Sequence, residues 1–181
     1  MTAQTGWPAD QPLRTTRLLL EPLRVRHANE LAPTLDEPAL HTYIGGRPAT
    51  AAELRDRYAR QVVGHSADGS ELWFNWVLRD RATSQAVGYL QATVVTDHDG
   101  PAAEMAWVVA APFQGSGYAT EAAIEGARWL LARGATLLVA HVHPEHRASV
   151  AVACAVGMSP TATVVDGEVR WERRADVISA G

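Results

Sequence analysis

The chain has 181 residues, of which 47% are hydrophobic, and this is enough to form the core of one ordinary domain. Its formal net charge of −4 argues against a nucleic-acid-binding protein, because such domains present basic surfaces. The sequence has no apolar run of about 18 residues and no basic segment followed by a hydrophobic leader at its start. These features predict a cytoplasmic protein that binds neither nucleic acid nor membrane.

The first half of the chain is predicted to contain strands and two helices after a short arm. Residues 1–13 carry glycine and proline without periodicity and predict a loose N-terminal arm, which leaves 14–181 as a single domain. Thr50 and Glu53 predict a capping box at the start of the second helix, and residues 41–48 predict a loop before it. The predicted elements are a strand over 17–23, helices over 26–35 and 51–63, and strands over 72–78 and 86–95.

The second half is predicted to alternate between strands and helices before it ends in a hairpin. Gly134 and Gly157 follow the two helical segments and are typical of helix ends, and Asp166-Gly167 is a strong two-residue hairpin turn. The predicted elements are a strand over 103–109, a helix over 118–131, a strand over 136–142, a helix over 146–156, and strands over 161–165 and 168–173. This order predicts an α/β (α+β) fold with a mixed, mostly antiparallel sheet and one parallel strand–helix–strand crossover.

The strand over 72–78 has one face that is predicted to be buried. Phe74 and Trp76 share a face with two leucines, so we expect them in the core. Trp73 and Asn75 point to the opposite face, toward a pocket or toward covering helices. For either tryptophan, packing is the favoured interpretation.

The turn at residues 113–121 is the most informative segment. It follows a predicted strand, opens a long predicted helix and contains two glycines, Gly115 and Gly117. Such a turn can present backbone N–H groups at a helix N-terminus to phosphate oxygens, although many strand–helix turns need glycine for geometry alone. No Gly-Lys-Ser/Thr follows, which excludes a Walker loop, and Thr120 replaces the third glycine of a dinucleotide-binding fingerprint.

The longer pattern resembles a known family. Gln114-x-x-Gly117-x-Ala119 resembles the Q/R-x-x-G-x-G/A signature of the GNAT acyltransferase superfamily, and the run over 114–122 is similar to its ribosomal-protein N-terminal acetyltransferase branch. Residues 16–23 resemble the opening strand of that branch. Residues 143–149, followed by Gly157-Met158, resemble its second helix on the CoA side. The resemblance covers roughly 15–174.

This resemblance implies acetyl-CoA as co-substrate, held in a sheet whose central strands splay apart. It implies that backbone amides of the turn hold the pyrophosphate, that Gln114 shapes the entry, and that the preceding strand runs beside the pantetheine arm. His146 stands where the family usually has Asn, which departs from the pattern at a pantetheine contact, and Met158 replaces Phe. The implied cofactor-binding residues are Trp107, Val108, Val109, Gln114, Gly115, Ser116, Gly117, Tyr118, Ala119, Thr120 and His146.

The resemblance also implies an N-acetyltransferase in which a primary amine attacks the thioester directly in a ternary complex. Glu104 is the candidate base, directly or through water, although an exposed strand carboxylate is the alternative. Ser149 is the candidate donor to the departing sulfur, although Ser also caps helix starts; Tyr118 and Tyr43 are alternative donors.

The acceptor that the resemblance implies is a peptide N-terminus or a small amine such as an amino acid, polyamine or aminoglycoside. The mild acidity of the chain slightly favours a cationic amine. A non-catalytic acyl-CoA-binding sensor or interaction domain is the alternative function.

Three histidines lie close together in the sequence. His141 and His143 share one face of a predicted strand, and His146 follows the next turn. With Glu145 they could bind zinc, act as a proton shuttle near the acceptor, or be ordinary histidines at a strand end. No cysteine joins them, and a closed structural zinc site usually has four well-placed ligands, so no metal site is predicted.

Three further features are predicted to be structural. Cys154 lies among small apolar residues without a partner base, which predicts a buried, unreactive thiol. Arg55, Arg57 and Arg60 share a predicted helix with acidic neighbours and predict a solvated face. The terminal hairpin could pair across a homodimer or close the sheet within one chain, and the sequence leaves both arrangements open.

Overall fold

The eight strands form one sheet in the computed structural model, which describes residues 7, 8, 10–40, 42 and 46–175. The strands are β1 (Leu13–Arg14), β2 (Leu18–Pro22), β3 (Glu71–Asp80), β4 (Ala86–Asp97), β5 (Gly100–Val109), β6 (Leu137–Val142), β7 (Ser159–Val165) and β8 (Glu168–Arg174). Their order in the sheet is β1-β2-β3-β4-β5-β6-β8-β7. Among the described strands, β5 and β6 alone pair in parallel, and α3 connects them, so the predicted mixed sheet with one parallel crossover is confirmed.

Four α-helices flank the sheet within the described residues: α1 (Ala28–Thr34), α2 (Ala51–Gln61), α3 (Tyr118–Ala132) and α4 (Arg147–Val156). The predicted capping box of α2 is confirmed, because Thr50 and Glu53 exchange hydrogen bonds between side chain and backbone. The predicted hairpin turn is confirmed as well: Asp166 and Gly167 both have positive φ, 50° and 84°, as a tight turn between twisted strands requires.

The two faces of the sheet carry separate apolar clusters. The larger one includes residues of α3 and α4, and there Phe74, Trp76 and Trp129 pack with ring centroids 5.1 to 6.1 Å apart. The smaller one joins α1 and α2 to the opposite face through residues such as Leu31 and Val77. The prediction that Phe74 and Trp76 are core residues is therefore confirmed. None of the described helices is both long and apolar enough to cross a membrane.

The described part of the N-terminal segment, residues 7, 8 and 10–13, is packed against the sheet and is not a loose arm. The ring of Trp7 contacts the rings of Phe74 and Trp129, and the backbone carbonyl of Gln11 accepts a hydrogen bond of 3.0 Å from the indole N–H of Trp76. Leu13 is buried at the start of β1, a strand that the sequence did not predict. Packing of the half-buried Trp7 and the buried Leu13 against the large cluster holds this part of the chain to the sheet.

One other prediction is wrong, and another concerns residues that are only partly described. Cys154 is exposed, so the prediction of a buried thiol is wrong. The reason is helical geometry: α4 buries the face that carries Val152, Ala153 and Val156, and this turns Cys154 toward solvent. Tyr43 and half of the predicted loop over 41–48 lie outside the described residues.

The close approach of β4 and β5 should make the fold sensitive to a side chain at Gly88. A Cβ on Gly88 would clash with the backbone carbonyl oxygen of Val108 and lie 2.9 Å from the Cα of Val109. On Gly126 of α3 it would instead meet the flexible end of the Leu90 side chain. We expect Gly88→Ala to lower the free energy of unfolding by about 2 kcal/mol or more, because backbone must move. Gly126→Ala should stay within about 1 kcal/mol of wild type, because alanine favours the helix. Urea denaturation of both variants measures this, and equal losses would contradict the close approach.

Candidate active site

A cleft opens where β5 and β6 part. The two strands pair only from Ala102 to Glu104, opposite Leu137 to Val139, although β5 continues to Val109 and β6 to Val142. The cleft has a volume of about 460 Å³. All predicted cofactor-binding residues except Ser116 line it, together with Leu40, Ala111, Phe113, Ala148, Ser149 and Val152.

The glycine turn forms one wall of this cleft. Gly115 and Gly117 have φ of 75° and 83°, a conformation that glycine adopts without strain, and Gly117 is the N-cap of α3. The first-turn N–H groups of α3 therefore lie at the cleft without intrahelical acceptors, and they add a partial positive charge. The Gln114 side chain fixes the turn by donating a hydrogen bond of 2.9 Å to the carbonyl oxygen of Val109.

Polar side chains behind the turn hold it in place. Arg17 donates to the carbonyl oxygen of Ser116 at 2.8 Å and to the carboxylate of Glu121 at 2.7 Å, and its guanidinium lies 4.8 Å from the ring centre of Tyr118. The Tyr118 hydroxyl donates to Asp80. Ser116 thus contributes to the support of the turn and not to the lining of the cleft. Sequence reasoning missed Arg17, Glu121 and Asp80 as a group, although the first two lie in the segments that carry the family resemblance.

The support network predicts a pH dependence of stability. The pKa of Asp80 is lowered to about 2, mainly by the hydrogen bond from the Tyr118 hydroxyl and further by hydrogen bonds from Thr83 and Ala82. A depressed carboxyl pKa stabilises the fold above the unfolded value near pH 4, and this contribution is lost as pH falls toward 2. Asp80→Asn should therefore lose less stability than wild type between pH 5 and pH 3, measured by urea denaturation at both values. Equal losses in the two proteins would contradict this role of Asp80.

The start of α4 forms the opposite wall. Ser149 and His146 both line the cleft, so the structure brings the candidate sulfur donor beside the glycine turn. His146 is the N-cap of α4. Burial, with the nearby His143 adding to it, lowers the pKa of His146 below its usual value, so the ring is neutral at neutral pH. A neutral imidazole can accept or donate a hydrogen bond at this wall.

Glu104 lies outside the cleft, in a neighbouring groove of about 420 Å³. Its side chain is 58% exposed, and Oε1 is 3.2 Å from Nδ1 of His141. Glu104 and Val108 share a face of β5, and the four-residue separation corresponds to about 13 Å along a strand. The two candidate catalytic residues, Glu104 and Ser149, therefore line different cavities.

A third cavity of about 260 Å³, the central cavity, lies between the cleft and the groove. It shares Leu40 and Val108 with the cleft, and it shares Arg57, Gln61, Asn75 and Gln91 with the groove. Tyr58 and Tyr89 also line it. Burial raises the pKa of Tyr58 to about 12 and also raises that of Tyr89, so both hydroxyls stay protonated. The sequence did not indicate these two tyrosines, because helix α2 and strand β4 bring them together.

The histidines do not form a metal centre within the described part of the chain. His141 pairs with Glu104, and the ring nitrogen of His143 lies 3.2 Å from the backbone N–H of Glu145. The one group of metal-type ligands among described residues is instead Asp97, His98 and Asp99, which is exposed at a turn.

Comparisons with known proteins agree with this geometry. A family profile described as "Acetyltransferase (GNAT) domain" matches residues 17–159. A sequence search of curated proteins found no match.

Solved structures share the fold. RimL, a ribosomal L7/L12 α-N-protein acetyltransferase solved with coenzyme A, has a TM-score of 0.76 and 18% identity over 92% of this chain and 99% of that one. The Salmonella typhimurium acetyltransferase that modifies the N-terminal serine of ribosomal protein L7/L12 has a TM-score of 0.73 and 17% identity over 92% and 100%. The microcin C7 self-immunity acetyltransferase MccE, solved with acetyl-CoA and AMP, has a TM-score of 0.71 and 14% identity over 88% and 93%. With the profile match across most of its length, the chain belongs to the GNAT acetyltransferase family.

Proposed function

We propose that this protein is an acetyl-CoA-dependent N-acetyltransferase that acetylates a primary amine. The observation that carries the proposal is the cleft, where a left-handed glycine turn and a helix N-terminus face the gap between two parted strands. A non-catalytic acyl-CoA-binding domain would need the same cleft, but it would have no use for a carboxylate–histidine pair beside it.

The cleft fits acetyl-CoA, which would supply an activated acetyl thioester there. The amides of residues 115–120 would hold the pyrophosphate, because a helix N-terminus attracts phosphate. Beyond Glu104, β5 lacks its β6 partner, so backbone groups of Trp107 to Val109 are available to an extended chain such as the pantetheine arm. RimL and MccE, whose structures hold coenzyme A and acetyl-CoA, support this assignment.

The chemistry needs a proton acceptor for the amine and a donor near the sulfur. Glu104 would take the amine proton through water, and His141 at 3.2 Å would stabilise or pass on that proton. Ser149 would donate a hydrogen bond to the departing sulfur from the opposite wall. A backbone N–H near Trp107 to Val109 would stabilise the developing oxyanion. The amine attacks directly in a ternary complex, so no acyl-enzyme is required.

The acceptor is a peptide N-terminus or a small amine that enters through the central cavity. RimL and the Salmonella typhimurium enzyme act on a ribosomal protein N-terminus, which supports a peptide-like acceptor. A cytoplasmic location, where such acceptors are made, stays a prediction from the sequence.

Release of free CoA from acetyl-CoA tests the proposal. The purified protein is assayed with separate pools of aminoglycosides, polyamines, amino acids and short peptides. We expect release above the no-amine background with one pool. Tight acetyl-CoA binding without release in any pool would instead support a binding-only domain.

A further inference from the structure

Two arginines border the cavities on the acceptor side. Arg57 lines both the central cavity and the groove, and Arg60 lines the groove. Both belong to α2, three residues apart, so they share a side of the helix. The predicted solvated face is thus exposed, but part of it also borders the proposed acceptor path.

These two guanidinium groups have no acidic partner in the part of the chain that the structure describes. Among the described residues, neither Arg57 nor Arg60 forms an ion pair or a hydrogen bond, whereas Arg47 pairs with Glu53 and Arg55 binds the side chain of Asn29. Among the described residues that line the groove, Glu104 is the remaining charged one, and its single negative charge against Arg57 and Arg60 leaves a net charge of +1. The groove is therefore locally positive, although the chain as a whole is acidic.

Amide side chains lie beside the arginines. Gln61 is one turn after Arg57, and its Oε1 is buried without a hydrogen-bond partner in the described structure. On the sheet below, Gln91 donates to Asn75 at 2.8 Å, and both residues line the cavity and the groove. A buried acceptor without a partner is costly, so Gln61 favours a ligand that brings an N–H group.

The inner part of the path is apolar. Leucine side chains from several elements surround the central cavity between the arginines and Val108: Leu23, Leu35, Leu40, Leu54 and Leu90. A bound amine therefore passes an apolar region before it reaches the cleft, and its outer part meets Arg57 and Arg60.

We infer that the acceptor is an amine that carries an anionic group, a carboxylate, which Arg57 and Arg60 bind while the amine reaches Val108. This inference rests on the proposed function and narrows its acceptor. The carboxylate can be that of an amino acid or that of an acidic side chain in a peptide. Polyamines and aminoglycosides would place positive charge against the two arginines. Local charge thus reverses the preference for a cationic amine that net charge suggested.

Matched acceptors test the inference. Phenylalanine is compared with phenylalaninamide, and a leucyl-glutamate dipeptide amide with its leucyl-glutamine counterpart, with spermidine and kanamycin as cationic amines. We expect kcat/KM to be at least about 10-fold higher for the anionic member of one pair, as charge-assisted hydrogen bonds allow. The pair that shows the difference identifies free amino acids or acidic peptides as the source.

Variants of α2 test whether Arg57 and Arg60 cause the preference for anionic acceptors. Arg57→Gln and Arg60→Gln should each raise KM for the anionic acceptor by about 10-fold and leave the neutral one within about twofold. Arg57→Lys should keep part of the preference, because charge remains but the planar fork is lost. Arg55→Gln on the same helix is the matched control and should keep the wild-type ratio. A thermal unfolding midpoint close to wild type verifies that each variant folds.

The outcomes separate the two proposals. Turnover with an equal or higher rate for neutral or cationic amines would overturn the anionic acceptor and leave the transferase standing. If none of the amines were acetylated, both proposals would be overturned. A preference for anionic amines that persists in Arg57→Gln and Arg60→Gln would remove the two arginines as its cause.

Discussion

Replacing Glu104 by glutamine is expected to lower kcat by about 10²–10⁴-fold, the usual contribution of a general base. Glutamine keeps the size of the side chain but cannot accept the amine proton. Because Glu104 lies in the groove and not in the cleft, affinity for acetyl-CoA should not change. Steady-state kinetics with the best acceptor, together with titration of acetyl-CoA into the protein, measures both effects. Ser149→Ala, which alters the opposite wall, should also lower kcat.

Glu125→Gln provides the control for charge removal. Glu125 pairs with Arg128 at 2.8 Å on α3 and lines none of the three cavities described above. Its variant should turn over like wild type. If Glu104→Gln retained kcat within about threefold, Glu104 would not be the base.

Ala119→Pro is expected to weaken acetyl-CoA binding by about 10–100-fold, the range for loss of a hydrogen bond to a charged group. Ala119 is the second residue of α3, so its N–H has no intrahelical acceptor, and in the proposed function it would donate to the pyrophosphate. Proline is tolerated in the first turn of a helix, so the substitution removes one donor while α3 remains. Isothermal titration of acetyl-CoA measures the change in Kd.

Ala52→Pro is the matched control, because Ala52 occupies the same second position in α2. Both variants should unfold at similar temperatures, and only Ala119→Pro should lose affinity. Unchanged binding in a folded Ala119→Pro would mean that this amide does not contact the pyrophosphate. Equal weakening by Ala52→Pro would instead trace the effect to general destabilisation.

Local signals in the sequence were sufficient for most of the fold. Each strand and helix that the sequence predicts is present, with ends shifted by a few residues. Thr50-x-x-Glu53 and Asp166-Gly167 act through bonds and dihedral angles within a few residues, so their structure does not depend on distant parts of the chain. The glycine turn was found in the same way, since its geometry is local.

Features that depend on contacts far apart in the chain were not predicted. Trp7 and Leu13 have no periodic pattern, and only the distant aromatic cluster gives them a partner. The exposed position of Cys154 depends on which side of α4 meets the sheet. Arg57 looks like an ordinary surface residue until the register of α2 over β3 and β4 places it beside a cavity.

Following a labelled acetyl group from acetyl-CoA is the most direct test of the proposed chemistry. The protein is mixed with the preferred amine and with acetyl-CoA that carries a label in its acetyl group, and the products are separated by chromatography. We predict that the label appears in the amide of the acceptor, with no label on the protein, and that Glu104→Gln slows this transfer. If the protein binds acetyl-CoA but the label stays in acetyl-CoA with every amine, the result would contradict the proposal that the protein is an N-acetyltransferase.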